Sequence, residues 1–211
     1  MSDAGAEAPA GDSLADRSVS RTGDSLADRS VTGEDVLSRA LAGESAAFGL
    51  LVRQHQHTVF SLALRMLSDR HKAEDLAQEV FLQLHKSLAS ITSTTHLAFW
   101  LRKVTVNRAI DQLRREPKIA ASSLEEAQGL AIETDDPDPL LSRRLRALVG
   151  QLAPAPRAVL LLRYQEDMDP TQIATALNMS INTVKSHLKR SLAQLRQRMD
   201  KAAVFTGRSA P

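Results

Sequence analysis

The chain has 211 residues, of which 43% are hydrophobic, and a formal net charge of +2. This share of apolar residues suffices for one or two small hydrophobic cores. Because the sequence contains no cysteine, disulfides, thiolate zinc sites and cysteine nucleophiles are excluded. No apolar run approaches the ~20 residues of a membrane span, and the polar N-terminal segment is unlike a signal peptide. We therefore expect a cytoplasmic protein without membrane insertion.

Residues 1–32 predict a disordered tail. The string G-D-S-L-A-D-R-S-V begins at Gly11 and again at Gly23, a repeat of 12 residues. A polar unit this short cannot bury a core, so we interpret it as a tandem duplication in a tolerant segment. A partner-binding role of the repeat is the alternative. A second tail is expected at 202–211.

An all-helical bundle is predicted for residues 33–116. A short helix over 34–42 precedes a longer one, whose apolar residues from Phe48 to Met66 recur on one face. Asp69 is placed to cap a third helix. Since no segment alternates like a paired strand, these helices are expected to pack against one another.

Charge is segregated along the rest of the chain. After a polar loop at 90–96, the fourth helix, predicted over 97–115, is strongly basic. The connector 117–138 is strongly acidic, and the last helical segment, 181–201, is basic again. Two basic helices on either side of a flexible acidic linker indicate two contacts with one polyanion.

A second small helical domain is predicted for residues 139–201. Its first helix is expected over 140–152. Pro154 and Pro156 are expected to break the helical path, so that the second helix covers 157–165.

The remainder of this domain predicts a helix-turn-helix. Asp169 and Pro170 can start a short helix as cap and first position. Asn178 stands at the turn, where asparagine tolerates a left-handed backbone, and Ser180 can cap the second helix. The residues of that helix expected to face inward are Val184, Leu188, Leu192 and Leu195.

The outer face of this last helix is suited to duplex DNA. A major groove admits one α-helix, whose side chains then reach phosphates and base edges. An ordinary helical hairpin with a solvated basic face is the alternative. The outward residues are Asn182, Thr183, Lys185, Ser186, Lys189 and Arg190.

Four passages carry a family resemblance. They are A-G-E-S-A-A-F-G-L-L-V-R-Q-H at 42–55, A-E-D-L-A-Q-E-V-F-L at 73–82, F-W-L-R-K-V-T-V-N-R-A-I-D-Q-L-R-R at 99–115, and R-A-V-L-L-L-R-Y at 157–164 before the helix-turn-helix. Together they resemble the extracytoplasmic-function class of bacterial RNA polymerase sigma factors, which have only sigma regions 2 and 4 joined by a linker. The family more often has glycine where Asn178 stands, which leaves the promoter preference open.

The resemblance implies a transcription initiation factor without catalytic activity, cofactor or metal. Region 2 would bind core RNA polymerase and would read and melt the −10 element of promoter DNA, while region 4 would read the −35 element. It also implies an anti-sigma factor as partner. A stand-alone helix-turn-helix regulator is the alternative, but it would need a signal-receiving α/β domain that the first block lacks. The −35 contacts are expected from Thr183, Lys185, Ser186, Lys189 and Arg190.

The −10 contacts are expected on the fourth helix and the loop before it. Asn107 lies where this class uses an asparagine, whose amide can donate and accept at a base edge; a locally bonded surface asparagine is the alternative. Ser93, Thr94 and Thr95 offer hydroxyl groups for a base flipped out of the strand, unless the loop is merely polar. Phosphate contacts are expected from Arg102, Lys103, Arg108, Arg114 and Arg115.

Carboxylates crowd one face of the third helix. Asp75 and Glu79 are four residues apart and repel each other, so a positive group should compensate them. The resemblance implies that Asp75, Gln78 and Glu79 dock on a coiled coil of core polymerase. A solvated face is one alternative, and a metal-dependent nuclease that also uses Glu74 is another. Because no set of ligands converges, we expect no metal.

Overall fold

The structure is a computed structural model that describes residues 32–115 and 138–206. These ranges leave out most of the tails predicted at 1–32 and 202–211, of which they include only Thr32 and 202–206. They also leave out the linker predicted at 117–138, except for Asp138. Within them, the regular elements are all helical, which confirms the all-α prediction.

The first helical group consists of α1–α4. Helix α1 spans Gly33–Leu41, α2 spans Ser45–Leu67, α3 spans Arg70–Ser87 and α4 spans Thr94–Arg115, with a short 3-10 turn at Leu88–Ser90. Asp69 caps α3 as predicted, since its side chain accepts a hydrogen bond from the Lys72 amide. The core of this group is built from α2, α3 and α4 and includes Leu51, Leu62, Met66, Leu84, Leu97 and Val106.

Helix α4 begins three residues before its predicted start. Ser93 Oγ accepts a hydrogen bond from the His96 amide, and Glu34 Oε1 accepts from the Thr94 amide at 2.9 Å. Free amides at a helix start need such acceptors. The prediction of a loop over 90–96 is therefore wrong in its second half, because Thr94 and Thr95 lie in the first turn of α4.

The second helical group consists of α5–α8. Helix α5 spans Pro139–Gly150, α6 spans Pro154–Tyr164, α7 spans Pro170–Leu177 and α8 spans Ile181–Thr206. The helical path is interrupted at 151–153, as predicted, but the second helix begins three residues before its predicted start. Pro154 and Pro156 lie in the first turn of α6, where the missing N–H groups have no acceptor within the helix. The core of this group includes Val159, Leu162, Ile173 and Val184.

Helix α8 buries a slightly different stripe from the predicted one. Leu192 was expected to face inward, but it is 43% exposed, and Ser191 is buried in its place. The stripe formed by Val184, Leu188, Ser191 and Leu195 advances by alternate steps of four and three residues, which keeps one face inward. The small polar Ser191 is buried because position 191, rather than position 192, lies on the inward face of α8.

The two helical groups pack against each other. Helix α4 lies against α6 and α7, and α2 lies against α5 and α6. The apolar patterns of the sequence predicted a core for each group but gave no sign of this contact. Across the described residues, none of the helices combines the length and the apolar character needed to traverse a bilayer.

Candidate nucleic-acid and polymerase interfaces

The helix-turn-helix forms as its sequence predicted. Asp169 Oδ1 accepts hydrogen bonds from the amides of Thr171 and Gln172 at 2.7 and 2.9 Å, and Gln172 Oε1 accepts from the Asp169 amide. Asn178 is left-handed, with φ of 51°. Ser180 Oγ accepts from the Thr183 amide at 3.1 Å, which caps α8. Each of the two helices is thus capped at its start by local bonds, and the left-handed Asn178 forms the turn between them.

The outer face of α8 is open to solvent. Val184 is fully buried beneath it, so the orientation of the helix is fixed by the core. The five side chains predicted to contact −35 DNA are all exposed: Thr183, Lys185, Ser186, Lys189 and Arg190. This face can enter a major groove without rearrangement of its own domain.

The predicted −10 residues of α4 have a different environment. Arg102 Nε donates to Glu166 Oε2 at 2.6 Å, and these side chains are only 28% and 11% exposed. Asn107 Nδ2 donates to the carbonyl of Lys103 at 2.8 Å and to that of Ala176 at 2.9 Å. Both contacts beyond α4 are made to the second helical group. Lys103, Arg114 and Arg115 remain exposed.

Arg108 supplies the positive charge expected beside the α3 carboxylates. Its Nη1 donates to Glu79 Oε2 at 2.6 Å and its Nε donates to Gln83 Oε1 at 2.8 Å. Glu74 is paired in turn with Arg70 at 2.9 Å on the same helix. Arg108 is therefore brought to the predicted polymerase-binding face rather than held free for phosphate.

The hydroxyl groups predicted to receive a flipped base are partly used within the fold. Ser93 caps α4, and Thr94 Oγ1 donates to Glu34 Oε1 at 2.6 Å. Thr95 is exposed. A cleft of about 390 Å³ lies beside them, with side chains of α4 on one wall and side chains of the second helical group on the other. Its lining includes Thr94, Thr95, Phe99 and Arg102, and across from them Glu166, Asp167 and Gln172.

Arg157 is a buried residue between the helical groups that the sequence patterns do not single out. It is 7% exposed and donates to the carbonyls of Met66, Gly150 and Leu152. Burial lowers the pKa of its guanidinium group from the ordinary value. In the sequence, Arg157 directly precedes the apolar run 158–162, a place where a solvated arginine is not expected.

Where the two helical groups meet, several basic side chains lie near the carboxylate of Glu166. Burial, together with the charge of Arg102, lowers the pKa of His55. Burial also lowers the pKa of Arg65, an effect that nearby Arg146 reinforces and the Glu166 carboxylate opposes. Glu166 therefore faces positive groups from both α2 and α4.

Nothing in residues 32–115 and 138–206 brings together three or more histidine or acidic side chains that could hold a metal ion. The α3 carboxylates considered for a nuclease engage arginines instead: Glu74 binds Arg70 and Glu79 binds Arg108. This arrangement gives the nuclease alternative no specific support.

Comparison with known proteins finds two matched segments, which contain the residues of these candidate interfaces. The family described as Sigma-70 region 2 matches residues 51–118, and the family described as Sigma-70, region 4 matches 142–195. The first segment contains the α3 and α4 residues discussed above, and the second contains the exposed face of α8.

Individual relatives extend the similarity across most of the chain. ECF RNA polymerase sigma factor SigE of Mycolicibacterium smegmatis is 32% identical over 76% of this chain, which spans 64% of that relative's length. ECF RNA polymerase sigma factor SigK of Mycolicibacterium vanbaalenii is 31% identical over 79% of this chain and 90% of its own length. The fold is similar to that of the sigma factor RpoE from Bartonella quintana in its complex with the anti-sigma factor NepR, with a TM-score of 0.56 and 20% identity over 72% of this chain and 96% of that one.

Proposed function

This chain belongs to the ECF class of RNA polymerase sigma factors, and we propose that it directs core RNA polymerase to specific promoters. In this proposal α8 reads the −35 element, and α4 reads and melts the −10 element. The observation that carries it is the exposed basic face of α8 on a capped helix-turn-helix inside the matched region 4 segment.

The −35 contacts follow from the geometry of α8. Lys185 and Arg190 project from the exposed face and can bond guanine edges, whereas Thr183 lies at the helix start, where a phosphate is favoured. Ser186 and Lys189 complete the same face. A plain solvated hairpin would not require this agreement between caps, turn and charge.

The −10 contacts are assigned to the α4 side of the first helical group. Asn107 supplies an amide for a base edge, and Arg102 supplies a guanidinium for a phosphate. Lys103, Arg114 and Arg115 are exposed along α4 and are suited to the backbone of a melted strand. Thr95 is the hydroxyl best placed for an extruded base, because Ser93 and Thr94 are bonded within the fold.

The polymerase contact is assigned to one face of α3. Asp75, Gln78, Glu79 and Leu82 recur at helical spacing and are all exposed, Leu82 to 64%. An exposed leucine among polar side chains favours a protein partner over a metal or a substrate. We assign no catalytic role to these carboxylates, since their part is to bind the larger enzyme. An association with polymerase also favours the cytoplasm as the site of action.

An anti-sigma factor is proposed as a further partner. The related sigma factor from Bartonella quintana is seen in complex with one. Helix α5 exposes several leucines that a protein partner would cover, with Leu140 exposed to 76%. Copurification of an anti-sigma factor in complex with the chain would support this assignment.

Run-off transcription with purified core polymerase tests the proposed function. Addition of the chain should yield discrete transcripts, and Asp75→Lys should reduce their amount at least about tenfold through weaker core binding. Asp200→Lys, which changes an exposed acid at the far end of α8, should leave the yield unchanged. Sequence-specific DNA binding with no polymerase-dependent transcript would instead favour a stand-alone regulator.

A further inference from the structure

The turn 165–169 between α6 and α7, here called the acidic turn, lies against α4. It carries Glu166, whose carboxylate forms the 2.6 Å ion pair with Arg102. This pair is far less exposed than the Arg39–Glu44 pair within the first helical group. Because partial burial reduces solvent screening, breaking this pair should cost more free energy than breaking an ordinary surface ion pair.

A second contact uses the amide of Asn107. Its nitrogen donates to Ala176 in the last turn of α7 as well as to Lys103 in its own helix. An asparagine amide has two N–H groups, so both donors are occupied. The carbonyl of Ala176 is one that a helix end leaves without an internal partner, and Asn107 satisfies it.

A third contact is made by Arg157. This α6 side chain donates to the carbonyl of Met66 near the end of α2, and also to that of Gly150 at the end of α5. Helix C-termini carry partial negative charge and favour a cation. The guanidinium therefore joins the two helical groups at a site with little access to water.

The acidic turn is held in place by its own domain. The Met168 amide donates to the Leu162 carbonyl at 3.0 Å, and Arg163 Nη1 donates to the Met168 carbonyl at 3.1 Å. Asp167 adopts a left-handed backbone with φ of 49°, and Met168 is buried. The position of Glu166 is thus fixed by hydrogen bonds and burial within the turn.

We propose that the acidic turn is an intramolecular stand-in for promoter phosphate, and that it holds the free chain closed with Arg102 and Asn107 engaged and the outer face of α8 exposed. The inference rests on the proposed function, because it assumes that Arg102 and Asn107 contact −10 DNA. A carboxylate on a guanidinium uses the geometry of a phosphate contact. Arg102 cannot bond Glu166 and DNA together, nor can Asn107 bond Ala176 and DNA together, so the two helical groups must separate for −10 binding.

The expected size of the effect follows from population shift. If only an open fraction binds single-stranded DNA, the apparent affinity is the intrinsic affinity multiplied by that fraction. Loss of one partly buried ion pair should raise a small open fraction about fivefold. Single-strand affinity should increase by the same factor.

Energy transfer within the free chain provides the test. Since the sequence has no cysteine, Ala89→Cys and Gln194→Cys, both at exposed positions, allow one dye on each helical group. Glu166→Gln should lower the transfer efficiency and strengthen binding of a random-sequence single-stranded DNA probe about fivefold. Glu44→Gln removes an equal charge from an ion pair inside the first group and should change neither quantity. Equal transfer and equal affinity in the parent and both variants would overturn the proposal.

A charge exchange gives an independent arm. Arg102→Glu alone should lower energy transfer, and the combination R102E/E166R should restore it by recreating the pair in reverse. Transfer that is the same for the single and the exchanged variant would count against the closed arrangement. Because no polymerase or promoter is present, this result does not depend on transcription. A chain that shows these changes in transfer but gives no run-off product would refute the proposed function and leave the closed arrangement standing.

Discussion

At the scale of single residues, Arg157 shows how a buried charge is tolerated without a carboxylate. Its Nη1 and Nη2 donate to the backbone carbonyls of Met66, Gly150 and Leu152, whereas its buried Nε has no partner among the described residues. Two of these carbonyls lie near helix ends that favour a cation. Removing the guanidinium leaves these buried acceptors without their donor, which costs more than the loss of an exposed bond.

Arg157→Met should therefore lower the free energy of unfolding by about 2–4 kcal/mol. Urea denaturation followed by circular dichroism measures this difference. Arg143→Met changes an exposed arginine of α5 and should lie within about 0.5 kcal/mol of the parent chain. Equal stability of the two variants would show that the carbonyl contacts contribute little.

His55 should make stability depend on pH. Burial and the charge of Arg102 lower its pKa below the ordinary 6.5, so the unfolded chain binds the proton more readily than the folded chain. This contribution is fully present above the unfolded pKa and is lost as the pH falls through the folded pKa.

Thermal melting at about pH 7.5 and about pH 5.5 tests this sign. His55→Gln should show a smaller loss of melting temperature on acidification than the parent chain, because the titrating group is gone. His57→Gln, at an exposed position two residues away, should retain the parent's pH dependence. An undiminished loss in the His55 variant would contradict the assignment.

At the scale of elements, local sequence determines where most helices begin. Asp69, Asp169 and Ser180 each cap the helix that their position predicted. The start of α4 differs from the predicted one because one of its acceptors, Glu34, lies 60 residues away in the sequence. Patterns within a short window cannot reveal such a partner, and the same limit hid the contact between Asn107 and Ala176.

Asp169→Ala should destabilise the chain by about 1 kcal/mol, since it removes the capping box of α7. Chemical denaturation gives the value, and Asp200→Ala at an exposed position of α8 serves as the matched loss of one acid. If both substitutions have the same effect, charge rather than capping is responsible.

Substitutions along α8 should separate sequence specificity from general affinity for DNA. Arg190→Ala is expected to cost about 1–3 kcal/mol on the preferred −35 sequence and to relax the choice at one base pair. Arg196 is exposed but lies farther along α8. Arg196→Ala should therefore weaken binding to all −35 sequences equally or leave binding unchanged. Competition binding with single-base variants of the −35 site distinguishes these results. Unchanged base preference in the Arg190 variant would show that Arg190 does not contact a base of the −35 element.

At the scale of the whole molecule, the exposure of the residues predicted to contact −35 DNA followed from the sequence, but the relation between the helical groups did not. Apolar spacing predicts which side of α4 is buried, whereas Arg102 and Asn107 are polar residues whose partners come from α6–α7 and the acidic turn. Promoter binding by both groups, with about 6–8 phosphates neutralised, should give a log–log salt slope of roughly −5 to −7.

The proposed promoter-directing function can be tested by run-off transcription with core polymerase on a promoter library, followed by sequencing of the transcribed templates. These templates should share two short elements at fixed spacing. Arg190→Ala should alter the upstream element and Asn107→Ala the downstream one, each without changing the other. A library transcribed without any common element, or both substitutions changing the same element, would contradict the proposed function.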